Sequence, residues 1–205
     1  MALSADDIVI RHGMLCTSLV RTVFDLARTL RAEAAIAAGD SALRLVSVSG
    51  YRVDLDAVLA WRQEIAKRCR PGLRGVRRAR WVGEFADGRA QLPGESVSRL
   101  QLHRLGFRDV DLQVPIDGAA GARYYADFGF RRSRAFGEFD GEGKYLDAEL
   151  RETPTPADAV LAEKRREDDI RGVTGWRVVR WGTAHIRTAG DLGARLAAFG
   201  IHPPG

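Results

Sequence analysis

The chain has 205 residues, 45% of them hydrophobic and 29% charged, which excludes extended disorder and allows one full core plus an accessory piece. Lysine and arginine outnumber aspartate and glutamate by 32 to 27, and the resulting +5 is compatible with a polyanionic partner. Two cysteines, Cys16 and Cys69, exclude a disulfide framework and a CxxC metal site.

Acidic Asp6 and Asp7 stand where a signal peptide would be basic, and no apolar run reaches the roughly 18 residues of a spanning helix. A soluble cytoplasmic protein without a membrane partner is the expectation. Ile8 to Ile10 is a short apolar run, and Thr17-Ser18 supplies a helix cap before Leu19, Val20, Val23, Phe24, Leu26 and Ala27 at helical spacing. An Ala-rich helix from Ala32 to about Leu45 and another from Leu55 to Arg68 follow, then a break at Pro71-Gly72 and a basic helix from Gly75 to Phe85. The turn-rich stretch from Asp87-Gly88 to Pro93-Gly94 marks a boundary. Beyond it the pattern predicts a helix over 95–105, strands over 112–116, 123–130 and 134–139, a helix over 157–171, a strand over 176–181 and a helix over 189–199. This order is α/β, with helices packed on a mixed sheet. The expected organisation is a helical region over 1–60, a basic helical linker over 61–91 and an α/β domain over 92–205.

The charge is local. Residues 61–91 carry nine basic side chains and three acidic ones, which leaves 23 basic and 24 acidic elsewhere, so this stretch holds +6 and the remainder −1. Only three lysines occur, Lys67, Lys144 and Lys164. Lysine can release its proton where arginine cannot, so lysines retained in an arginine-dominated chain are candidate chemical groups.

The strands over 123–130 and 134–139 place the carboxylates. With Arg132 and Ser133 as a two-residue loop, paired positions sum to 265 and Asp127 falls opposite Glu138. Asp140 shares the face of Glu138, while Phe128 and Phe139 point away. Like charges directly opposed are destabilising without compensation, and hard oxygen donors grouped this way suit Mg²⁺ or Mn²⁺. A solvated sheet edge is the alternative. Lys144 follows the carboxylates, and Lys164 lies in the seven-residue charged run Glu163 to Asp169. That run leaves no apolar face, so its helix is either solvated or borders a polar cleft, with Val160, Leu161, Ile170 and Val173 anchoring both ends.

Pro93-Gly94-Glu95-Ser96, Asp127-Phe128, Glu138-Phe139-Asp140-Gly141 with Lys144-Tyr145, Ala162 to Asp168 and Gly175 to Trp181 together resemble the DUF559 domain of actinobacterial proteins over about residues 91 to 200. That domain is similar to very-short-patch-repair endonucleases of the PD-(D/E)XK nuclease superfamily. The resemblance implies a restriction-endonuclease-like core, with Asp127 and Glu138 as metal ligands and Glu95 as the first-helix acid. In the superfamily a lysine stands two positions after the second acid; here Asp140 does, and the resemblance leaves Lys144 or Lys164 as the migrated lysine. Thr17 to Arg28 resembles the region that follows a winged-helix module in type IV (AbiEi-like) antitoxins, without that module.

The expected function is therefore a Mg²⁺-dependent DNA endonuclease, with Asp127, Glu138, Asp140, Lys144 and Lys164 catalytic. Arg165, Arg166, Arg74, Arg77, Arg78 and Arg80 would grip the DNA backbone, and a homodimer is compatible with this reading. A catalytically inactive nuclease-fold module that binds DNA or regulates, related to type IV antitoxins, is the alternative. A purely structural or protein-interaction domain is a third class.

Overall fold

The computed structural model describes residues 3–141 and 156–204. The chain forms two compact units, Met1–Val97 and Ser98–Gly205. Among the described residues no helix is long and apolar enough to cross a membrane.

The first unit opens with a hairpin of β1 (Ile8–Arg11) and β2 (Met14–Thr17), closed by His12 and Gly13, whose positive φ values of 50° and 77° suit a tight two-residue turn. Helix α1 (Leu19–Thr29) starts at Ser18, whose hydroxyl accepts the N–H of Arg21 at 3.3 Å. Helix α2 (Ala32–Ser47) leads into a two-residue ladder of β3 (Val48–Ser49) and β4 (Arg52–Val53). Asp54 caps α3 (Leu55–Arg68) by accepting the N–H groups of Asp56 and Ala57, and α4 (Val76–Phe85) completes the bundle. Val23, Phe24, Ile36, Leu43, Trp61, Ile65 and Val82 form its core. Helices α3 and α4 approach at Gly83, where a Cβ would lie 2.6 Å from Ile65 Cγ2. Asp7 joins three parts of the unit: its buried carboxylate meets Arg21 Nη1 at 2.8 Å and Arg68 Nη2 at 3.0 Å. Burial would raise the Asp7 carboxyl, but hydrogen bonds from Ser4 and then from Arg68 and Arg21 hold it well below the usual range.

Helix α5 (Pro93–Arg104) runs from the first unit into the second. The second unit is built on a mixed sheet of β5 (Asp111–Asp117), β6 (Arg123–Phe130), β7 (Ala135–Phe139) and β8 (Arg177–Trp181), in that order. The first three strands are antiparallel, and β8 is parallel to β7 through the crossover helix α6 (Pro156–Thr174). Helix α7 (Ala189–Ala197), capped by Thr188, ends the unit. The mixed α/β class and the order helix, three strands, helix, strand, helix are as the sequence predicts. The short strands β2, β3 and β4 are not, because two to four residues carry too little alternation to register.

The sheet has different surroundings on its two faces. Phe128 and Phe130 pack on Trp181, with ring centroids 5.2 and 6.5 Å apart, and the Trp181 indole donates to Ser98 Oγ of α5 at 2.8 Å. Against α6, a second cluster gathers Ile116, Ala126, Phe136, Ile170 and Val178. Strict alternation along β6 would put Ala126 on the face of Phe128, yet Ala126 belongs with Phe136 and Ile170. The change occurs at Asp127. Neither Asp127 nor Gln113 across from it appears among the ladder partners, and Gln113 has a φ of +50°. The β6–β7 turn also differs from expectation. A 3-10 turn, Arg131–Ser133, is followed by Arg134 at φ +47°, and the register still sums to 265.

Candidate functional site

Glu138 is the centre of the charged cluster. It lies near the end of β7, beside Arg180 of β8 by the parallel register, and beneath α6. Its Oε1 accepts Arg166 Nη2 at 2.7 Å and its Oε2 accepts Arg180 Nε at 3.0 Å. Burial alone would raise the Glu138 carboxyl, but Arg166 and then Arg180 outweigh it and hold it below the ordinary carboxylate range. The same two guanidinium groups continue outward. Arg166 Nη1 reaches Glu163 at 3.0 Å and its Nη2 also donates to the Tyr125 carbonyl at 2.9 Å, while Arg180 meets Glu163 and, at 3.1 Å, Glu167. Glu163, Arg166, Glu167 and Ile170 recur at helical spacing, so the inner face of α6 is three charged residues and one isoleucine. Val160, Leu161 and Val173, expected to anchor this helix, are exposed; ion pairs and Ile170 attach it instead.

Asp127 is close to the β7 backbone but engaged differently. The β6–β7 ladder ends at Phe128↔Gly137, and Asp127 Oδ2 accepts the N–H of Phe139 at 2.8 Å, the donor that a continued ladder would use. Asp140 is exposed, and its N–H donates to the Trp181 carbonyl at 2.9 Å. Lys164 and Arg165 are exposed on α6. Lys144 lies outside the described residues. Glu95 belongs to the first unit, 4% exposed, with Oε2 accepting the Gln91 N–H at 2.8 Å.

These donors do not fit a divalent cation. A metal-binding glutamate presents a free lone pair to the ion, whereas each oxygen of Glu138 is held by a guanidinium. Among the described residues no group of three or more His, Cys, Asp or Glu side chains is arranged to hold a metal. The sequence does not reveal Arg166 and Arg180 as partners of Glu138, or Glu163 and Glu167 as further partners of those two arginines. The signal was present in the spacing: Val178 and Arg180 repeat Phe136 and Glu138 two residues apart, as parallel neighbours in register do.

The basic stretch divides into two groups. Arg78 donates to the Ala27 and Arg28 carbonyls at 2.7 and 2.6 Å and so closes the C-terminal end of α1, Arg68 binds Asp7, and Arg89 binds Asp87. Arg70, Arg74, Arg77 and Arg80 are exposed, with Arg77 and Arg80 one turn apart on α4. Arg166 is committed to Glu138 and Glu163.

No protein-family profile matches the chain, and no solved structure matches it. It is similar to two Mycobacterium tuberculosis proteins described as uncharacterized, MT2308 of strain CDC 1551 / Oshkosh and Rv2248 of strain ATCC 25618 / H37Rv. Each is 31% identical over 186 residues, which is 90% of this chain and 61% of the relative, so the chain spans about three fifths of the length of these curated relatives.

Proposed function

We propose that the chain binds the DNA backbone and that its second unit is a restriction-endonuclease-like fold in which Glu138 has become structural. The order α5, β5–β6–β7, α6, β8, α7, with β8 parallel to β7, supports that fold. One observation carries the functional reading: both oxygens of Glu138, the acid that a nuclease of this kind would place on its metal, are paired with arginines. Recruiting Glu138 to a cation would leave Arg166 and Arg180 half-buried beside a second positive charge, which is electrostatically unfavourable. The exposed Arg70, Arg74, Arg77 and Arg80 supply guanidinium forks for phosphate oxygens. This reading makes the protein a binding or regulatory module, the role that its resemblance to antitoxin-associated regions suggests.

The test joins a cleavage assay to a binding assay. Supercoiled plasmid incubated with the protein and Mg²⁺ or Mn²⁺ should remain intact, while a mobility-shift assay should show a complex that is lost in R70E/R74E/R77E/R80E. Metal-dependent nicking by the wild type that disappears in both Asp127→Ala and Glu138→Ala would establish the endonuclease reading in its place.

A further inference from the structure

At the opposite end of β7 and β8 from Glu138, a cavity of about 560 Å³ is lined by Arg132, Ser133, Arg134, Gly175, Arg177 and Gly200. Three of these six residues are arginines. Arg177 is fixed in place, with Nη1 donating to the Phe199 carbonyl at 2.6 Å and Nη2 to the Ser133 carbonyl at 3.4 Å. Arg132 Nη2 pairs with Asp109 at 3.2 Å, and both side chains are largely exposed. The Arg134 guanidinium makes no ion pair among the described residues.

Arg134 is also poorly suited to its backbone. Its φ of +47° lies in the left-handed region, where glycine or asparagine would be at ease and arginine is not. A turn that needs only to reverse the chain has no use for a guanidinium there, so the strain points to the side chain as the reason. The two glycines of the lining fit the same reading. Gly175 and Gly200 have positive φ values of 65° and 67°; a Cβ would come 3.8 Å from Arg134 Nη2 at the first and 3.4 Å from Arg177 Nη1 at the second. The lining thus leaves two guanidinium groups uncrowded at an open polar surface.

We propose that this cavity binds a phosphomonoester, with Arg134 as the principal ligand, Arg132 as a second charge and Ser133 as a neutral hydrogen-bonding group. Arginine forks match the oxygens of a phosphate bidentately, and the volume suits a nucleotide-sized ligand. The phosphate can belong to a free nucleotide or to the 5′ end of a nucleic acid. This proposal does not rest on the DNA-backbone reading, because neither Glu138 nor Arg70, Arg74, Arg77 and Arg80 contribute to the cavity.

The experiment is isothermal titration of the full chain at constant ionic strength with adenosine 5′-monophosphate, and with one short oligonucleotide carrying either a 5′-phosphate or a 5′-hydroxyl. Saturable binding of the monophosphate is expected, weakened at least tenfold in Arg134→Gly and unchanged in the charge-matched control Arg123→Ala. Glycine suits a φ of +47°, so Arg134→Gly should melt at the wild-type temperature or above, which separates lost binding from lost folding. Arg134→Lys keeps the charge without the fork and should fall between the two. Preference for the 5′-phosphorylated oligonucleotide assigns the site to nucleic-acid ends, and equal binding of the two oligonucleotides beside tight monophosphate binding assigns it to free nucleotides. No saturable binding of either phosphorylated probe, or an Arg134→Gly variant with wild-type affinity, overturns the proposal. Loss of plasmid binding in R70E/R74E/R77E/R80E leaves this result untouched, so the two readings fail separately.

Discussion

Glu138 carries opposing demands that its neighbours balance. Replacing it with glutamine removes one charge from between two arginines and leaves both half-buried guanidinium groups short of a counter-charge. Glu138→Gln should therefore cost about 3 kcal/mol, measured by chemical denaturation. The joint replacement E138L/R166M/R180L removes all three charges and should recover most of that loss, since well-packed apolar side chains can substitute for a buried ion pair. The acid limb of stability provides a second readout. The folded-state carboxyl is depressed, so its contribution is fully present above the ordinary glutamate value of about 4.3 and is lost as pH falls through the folded-state value. Glu138→Gln should accordingly lose less stability than the wild type between pH 5 and the acid-unfolding region, with Asp7 responsible for part of the slope that remains.

At the scale of elements, α6 is attached, among the described residues, through the buried Ile170 and a set of ion pairs. Ile170 is 1% exposed and is the only isoleucine or valine of this helix in the cluster with Phe136 and Val178. Ile170→Ala should cost about 2 to 4 kcal/mol by thermal or urea unfolding, and high salt should exaggerate the loss because it weakens the partly exposed pairs that remain. In the first unit, Gly83→Ala would press a methyl against Cγ2 of Ile65 and should cost about 1 to 3 kcal/mol by urea unfolding. The longer elements were legible because their periodicity extends over several turns or alternations: α3 and β6 begin and end where the sequence places them. The register of β6 on β7 was legible as well, since a short turn centred on Arg132 and Ser133 makes paired positions sum to 265. The break at Asp127 was not. Alternation assumes a continuous pleat, and nothing in the run from Tyr124 to Phe130 indicates that Gln113, fourteen residues before Asp127, adopts a left-handed backbone. The pairing of Glu138 with arginines rather than with Asp127 and a metal escaped for a related reason. It depends on the parallel neighbour β8, supplied some forty residues later in the chain.

For the molecule as a whole, the formal +5 resolves into different uses of arginine. Arg21, Arg68, Arg78, Arg166 and Arg180 are held by carboxylates or carbonyls within the fold, while Arg70, Arg74, Arg77 and Arg80 remain exposed. Net charge therefore overstates the positive charge available to a partner and says nothing about where it lies. If the four exposed arginines each meet one phosphate, the slope of log affinity against log salt should become shallower by about 3 to 4 in the fourfold glutamate variant, measured by fluorescence anisotropy on a labelled duplex. Asp7 also has a bearing on how the chain is made. Its two arginine partners lie 14 and 61 residues further along. At roughly 5 to 20 residues per second the ribosome delivers Arg68 about 3 to 12 seconds after Asp7, and through that interval Asp7 has only Arg21 to neutralise it. The first unit can close around this carboxylate only when α3 emerges, so the beginning of the chain waits for a residue a third of the way along it.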